Sequence, residues 1–191
     1  PLNYKELFDI AMKLISSPAK AWEEICVEDR QKVYTSFVYP MIGLCSLAVF
    51  LGSLFTYGWG GPQSFQLAMT LCCSVAVAQF SGYFLSAYII NELGSKRFGV
   101  VNDQTLTRQY AGYTMVVPFL LQIITGLLPD FRIISWLLTP YIVFVAWEGS
   151  KILMKVEEKN RMTYTLISSI LLIFLPPIIE YLFNQLTTQL N

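Results

Sequence analysis

The stretch VYTSFVYPMIGLCSLAVFLGSLFTYGWGGPQSFQLAMTLCCSVAVAQFSGYFLSAYIIN, residues 33–91, contains no ionised side chain between Lys32 and Glu92. An α-helix rises about 1.5 Å per residue, so crossing a hydrocarbon core of about 30 Å takes roughly 20 apolar residues. The stretch is long enough for two crossings. The glycine–proline segment GWGGPQS at 58–64 divides it, and such a segment reads as a turn. Spans are therefore predicted at 33–57 and 65–90.

The same criterion applied downstream predicts three more spans, at 110–128, 133–153 and 162–186, with PDFR (129–132) as a tight link between the third and fourth. The expected fold is all-α: a polytopic integral membrane protein whose bundle of five transmembrane helices occupies 33–191. A short N-terminal amphipathic helical segment, 1–32, precedes it. Composition agrees. The chain is 54% hydrophobic and 14% charged, with a mean hydropathy of +0.51, whereas soluble domains carry about a quarter charged residues.

If the spans alternate, twelve of the thirteen Lys and Arg residues fall on one side and only Arg132 on the other. Lys/Arg excess marks cytoplasmic loops, so the N-terminus is expected in the cytoplasm and the C-terminus outside. No short apolar core with a cleavage site opens the chain, and no secretory signal peptide is expected. Lys+Arg and Asp+Glu both number 13, a balance that gives no reason to expect a nucleic-acid partner. Tyr34, Tyr39, Tyr57, Trp59, Tyr110, Trp136, Trp147 and Tyr164 fall near the proposed span ends, at headgroup depth; aromatic core packing is the alternative.

The N-terminal segment reads as two short helices. Asn3 caps the first, whose apolar side is Leu7, Phe8, Met12, Leu14 and Ile15. Ser17 caps the second, with Pro18 at its first position and Trp22, Ile25 and Cys26 on one face. Such a pair can lie on the headgroups, dock under the bundle, or offer a groove to a partner. Trp22, the turn residues Lys96 and Arg97, and Lys155 are the candidate members of a cytoplasmic platform.

Span two carries Thr70, Ser74, Ala78, Gly82 and Ser86, a small residue at every fourth position. This stripe is a candidate helix-packing face, either between copies of the chain or inside one bundle. Prolines 118, 140, 176 and 177 interrupt the later spans. Each removes a helix N–H and frees a carbonyl four residues back; kinks are expected at Pro118 and Pro176, with Gln122 and Ser168–Ser169 as compensating polar groups.

Chemistry is sparsely represented. There is no histidine, which removes the H-E-x-x-H zinc motif and the serine–histidine dyad. No catalytic residue, metal site or cofactor is expected. The cysteines at 26, 45, 72 and 73 form no C-x-x-C pair and read as small packing residues. The candidate intramembrane polar site is Glu148 with Lys151, an i,i+3 pair near the interface, and Glu180, close to the outer end of span five.

Several features then line up in order. SPAKAWEEI (17–25) precedes the first span, and Gly94 and Gly99 flank a basic turn. Gln109, Tyr110, Tyr113 and Pro118 follow, then Pro129, Tyr141, Gly149 and MKVEEKNRMTY (154–164). Together they resemble the Yip family (Ypt-interacting proteins), more closely its short prokaryotic branch. The resemblance implies a five-helix membrane domain with a cytosolic N-terminus, in a prokaryotic cytoplasmic (inner) membrane. Eukaryotic members act in vesicle trafficking and bind Rab-type small GTPases and one another. A small GTPase is thus a partner by family analogy only, since about 35 residues precede the first span here. The family offers no catalytic or ligand residue to carry over. The expected function is a non-enzymatic membrane-organising or trafficking-type scaffold, in contact with the lipid bilayer and with itself or other membrane proteins. The competing expectation is a small transporter or ion channel using Glu148 and Glu180 near the proline-broken helices.

Overall fold

The computed structural model describes residues 2–190, and the chain is all-helical across them. Two short helices open it: α1 (Tyr4–Ser16) and α2 (Pro18–Ile25). The Asn3 side chain accepts from the Lys5 N–H and caps α1. Ser17 occupies the N-cap of α2 as expected, but its side chain makes no capping bond; Pro18 at the first position supplies the start signal.

Helix α3 (Tyr39–Tyr57) follows a π-helical turn, Tyr34–Val38. The Tyr39 N–H donates to the Tyr34 carbonyl five residues back, immediately before Pro40, which has no N–H to give. Helix α4 (Pro62–Arg97) is the longest, and Gly99, at φ +66°, turns the chain after it. The third span is bent by 41° between α5 (Gln104–Thr114) and α6 (Val116–Leu127). Pro118 accounts for the break, because the carbonyl it deprives is that of Thr114. The fourth span is also broken: α7 (Arg132–Leu138) and α8 (Ile142–Ile152) flank a 3-10 turn, Thr139–Tyr141, around Pro140. Helix α9 (Glu158–Leu190) runs through Pro176 and Pro177 without a break. The compensating bonds are not as anticipated. The Ser168 and Ser169 hydroxyls donate to the Tyr164 and Thr165 carbonyls, whereas the prolines free those of Leu172 and Ile173.

Four elements are long and apolar enough to cross a membrane, and the bent pair α5–α6 makes up to five. This is an integral membrane protein of the helical polytopic class. Successive spans are antiparallel, so the N-terminal pair and the loops at 98–103 and 153–157 share one end, here the basic end. The turns at 58–61 and 128–131 and Arg132 share the other.

Small residues set the helix crossings. A Cβ on Gly52 of α3 would sit 1.7 Å from the Gly126 carbonyl oxygen of α6, so these backbones touch. The stripe on α4 faces α9 of the same bundle. A Cβ on Gly82 would come within 2.6 Å of Pro176, Ser74 donates to the Asn184 side chain at 2.6 Å, and Ser86 donates to the Leu171 carbonyl at 3.3 Å. Ser74, Ala78, Gly82 and Ser86 are all buried; Thr70 alone is exposed. A packing face was expected, and its partner is internal. Gly82→Leu should therefore destabilise by about 1–3 kcal/mol or more, as overpacking does, while Thr70→Leu should stay within about 0.5 kcal/mol. Thermal unfolding of the two variants in one detergent checks this.

The N-terminal pair shares a continuous core with the bundle: Leu7, Ala11, Leu14, Ala21, Trp22 and Ile25 pack with residues of all the main spans. Of the cysteines, only Cys45 packs fully, donating to the Phe119 carbonyl at 3.3 Å; Cys26 and Cys73 are exposed. Tyr110 and Tyr164, expected at headgroup depth, are buried rings whose centroids lie 5.6 Å apart. Tyr57, Trp59 and Trp136 are exposed at or near span ends.

Candidate functional site

The basic end is organised around Trp22. Its indole is fully buried and donates to the Val145 carbonyl of α8 at 3.0 Å. Tyr110 and Tyr113 of α5 pack against it at 6.0 and 6.2 Å. Gly149 completes the slot, since a Cβ there would lie 2.6 Å from the indole. Gln109 donates from its amide to the Ile25 carbonyl, closing the C-terminal end of α2 onto α5 at 3.1 Å. The family-resembling positions Gln109, Tyr110, Tyr113 and Gly149 thus converge on one task, which is seating α2. Trp22 is accordingly a core anchor and not a displayed platform residue.

Further latches surround this seat. Tyr141, beside Pro140, donates to the Ile15 carbonyl at the end of α1, and Lys13 pairs with Glu24 across the two helices. Arg30 pairs with Asp103, the N-cap of α5, whose carboxylate also accepts from the Leu106 N–H. Burial alone would raise the Asp103 pKa, but the hydrogen bonds from the Leu106 N–H and the Arg30 guanidinium outweigh it and hold the carboxyl below its ordinary value. The Asn91 amide joins α4 to the same corner: its Nδ2 donates to Asn102, and its Oδ1 accepts from the Asp103 N–H and the Thr107 hydroxyl. Asn91 escaped the sequence reading because a single uncharged amide at the end of an apolar run carries no pattern.

Of the proposed platform cations, Lys96 is exposed and pairs with Glu92 at 2.9 Å, Arg97 is exposed at the end of α4, and Lys155 is exposed at φ +52°. Their loops adjoin, because the Asn160 amide donates to the Phe98 carbonyl at 3.3 Å. On α1 the bundle-facing residues are Leu7, Ala11 and Leu14. Phe8, predicted on the apolar side, points away and is 63% exposed, as is Tyr4 one turn earlier. Two aromatic rings four residues apart thus share an outward face of a seated helix.

The intramembrane candidates do not converge. Glu148 is half-buried next to Gly149 at the basic end, and among the described residues no ion pair joins it to the exposed Lys151. Arg161, further along the chain, stacks on Trp147 instead, 5.4 Å from the ring centroid. Glu180 lies elsewhere on α9. With Asn184 opposite Ser74 and Pro176 opposite Gly82, it falls level with Ala78 of α4. Asp103 and Asp130 occupy opposite ends of the bundle.

A family model described as the Yip1 domain matches residues 12–179. No curated protein and no solved structure matches the chain.

Proposed function

The chain belongs to the Yip1 domain family of membrane proteins, and from that premise we propose that it is a non-enzymatic scaffold that organises other membrane proteins, or copies of itself, from its basic end. With the positive-inside rule that end faces the cytoplasm, in this reading of a prokaryotic inner membrane. The supporting observation is the seated α1: its inner face is locked to the bundle, while Tyr4 and Phe8 stand exposed on its outer face. A helix held rigid loses little further entropy on binding, and exposed aromatics are the side chains that anchor interfaces. A small GTPase remains one partner class by family analogy, beside membrane proteins. The transporter alternative needs Glu148 and Glu180 on one pathway, and they sit at different depths on different helices.

In-cell cross-linking followed by purification in gentle detergent tests the scaffold. The double variant Tyr4→Ala, Phe8→Ala should lose most of the cross-linked companion or dimer while its thermal unfolding stays unchanged. Glu148→Gln should leave ion flux into proteoliposomes as it was. Undiminished cross-linking in the double variant, or flux abolished by Glu148→Gln, would move the reading to transport.

A further inference from the structure

The basic end of the bundle carries one depression of the opposite sign. A groove of about 570 Å³ runs between α1, the end of α2 and the first turn of span one. Glu6, Asp9, Glu24 and Glu28 line it, against only Lys13 and Lys32. Lys13 is taken up by Glu24 and Lys32 by Glu28. Glu6 and Asp9 join no ion pair among the described residues, so the groove keeps a surplus of two negative charges. Elsewhere on this end Lys20, Arg97, Lys151 and Lys155 are exposed and likewise enter no ion pair among the described residues. Glu6 lies about 200° around α1 from Phe8, so the groove and the aromatic face are separate surfaces.

The floor of the groove is formed by Thr35 and Ser36, in the π-helical turn that opens span one, and by Tyr113 of α5. Tyr113 is 3% exposed, its ring held by Trp22 and Phe37. Its hydroxyl faces the Glu28 carboxylate, an acceptor-only group, so the lone pairs of the phenol oxygen are unfilled within the protein. The unpaired groups here are thus acceptors, and what completes them brings N–H donors and positive charge. Among the described residues no three carboxylates converge closely enough to hold a metal ion, which leaves an organic cation. Leu2 and Ile10 also border the groove, and they suit the methylene stem of a lysine or arginine.

Membrane proteins concentrate Lys and Arg in the segments that flank their spans on the cytoplasmic side. The groove floor lies at the start of span one, which is the depth of such flanks. The exposed cations elsewhere on this end repel a basic flank, and the groove attracts it. We propose, resting on the scaffold reading above, that the groove docks the basic juxtamembrane flank of another membrane protein. One Lys or Arg of that flank reaches between Glu6 and Asp9 toward the Tyr113 oxygen.

The test reconstitutes the full chain in zwitterionic vesicles with a synthetic polyleucine transmembrane peptide ending in four lysines, or its counterpart ending in four serines. Energy transfer from a donor on Cys26, with Cys72 and Cys73 replaced by serine, to an acceptor on that end of the peptide reads binding. The lysine peptide should be held about tenfold more tightly than the serine peptide, and added salt should shrink the difference. Glu6→Gln with Asp9→Asn should erase the preference. Both carboxylates are exposed, so thermal unfolding should stay unchanged. Tyr113→Phe keeps the ring and should weaken the lysine peptide about threefold, the effect of one hydrogen bond. In the unmodified chain, carbodiimide should couple a peptide lysine to Glu6 or Asp9, a readout independent of any variant. Equal binding of the two peptides, a preference that survives the double variant, or coupling confined to other carboxylates overturns the assignment. So does spermidine held as tightly as the lysine peptide, which would identify a small-polyamine site. Coupling of Glu6 or Asp9 to a second copy of the chain without peptide would overturn it in favour of self-association. A cross-linked companion lost with Tyr4→Ala, Phe8→Ala but kept with Glu6→Gln, Asp9→Asn would leave the scaffold standing and remove the groove from it.

Discussion

Gly52→Ala collapses the stability of the bundle, while Gly43→Ala in the same helix leaves it unchanged or slightly improved. At Gly52 the added carbon would sit 1.7 Å from the Gly126 carbonyl oxygen and 2.7 Å from its carbon. Both are backbone atoms of a neighbouring helix, so no side chain can rotate aside. The whole α3–α6 crossing must open. Overpacking costs typically 1–3 kcal/mol where side chains can give, and a backbone-on-backbone collision belongs above that range. Gly43 has nothing within 4 Å of the same construction, and alanine is favoured over glycine in a helix by about 1 kcal/mol. The thiol of Cys45, buried on α3, provides a readout. With Cys26, Cys72 and Cys73 replaced by serine, Cys45 labelling should accelerate steeply in the Gly52 variant and not in the Gly43 variant. Equal labelling rates in the two would show that the crossing is looser than the geometry requires.

Trp22→Ala has the second largest expected effect, and a distinctive one. Truncating a large buried aromatic costs about 3–5 kcal/mol through lost burial and the void left behind. It also strips the Val145 carbonyl of the indole donor. The loss is local, because the five spans pack on one another independently of the indole. Trypsin should therefore cut at Lys13, Lys20 or Arg30 in the variant while 33–190 stays resistant, whereas the unmodified chain resists at all three. Trp22→Phe should recover most of the packing but not the hydrogen bond, and protection should be intermediate. Cleavage at equal rates in all three proteins would mean that α2 is not held by this seat.

The spans were legible because lipid imposes a length on apolar runs, and length is a one-dimensional property. The stripe on α4 was legible for the same reason: Ser74, Ala78, Gly82 and Ser86 repeat within one helix. Its partner was not, since Asn184 and Pro176 carry no matching period, and a stripe specifies only half of a contact. Gly52 and Gly126 were missed altogether, being isolated glycines on helices that the sequence gives no reason to pair. Trp22 was misplaced because its chain neighbours Lys20, Glu23 and Glu24 are exposed, while the glycine that makes room for it lies far along the chain. Phe8 was assigned to the wrong face because Leu7 and Phe8, about 100° apart around the helix, both fit a broad apolar side, and only packing decides between them.

The bond between Trp22 and Val145 joins residues 123 positions apart. Chains emerge from ribosomes at about 5–20 residues per second, so α2 is made roughly 6–25 s before its seat exists. During that interval the α8 wall of its seat is missing, and four spans must be inserted before the seat is complete. Biosynthesis of this protein thus ends with an early segment returning to a late one, and a stalled or truncated product would advertise its incompleteness by an unseated tryptophan.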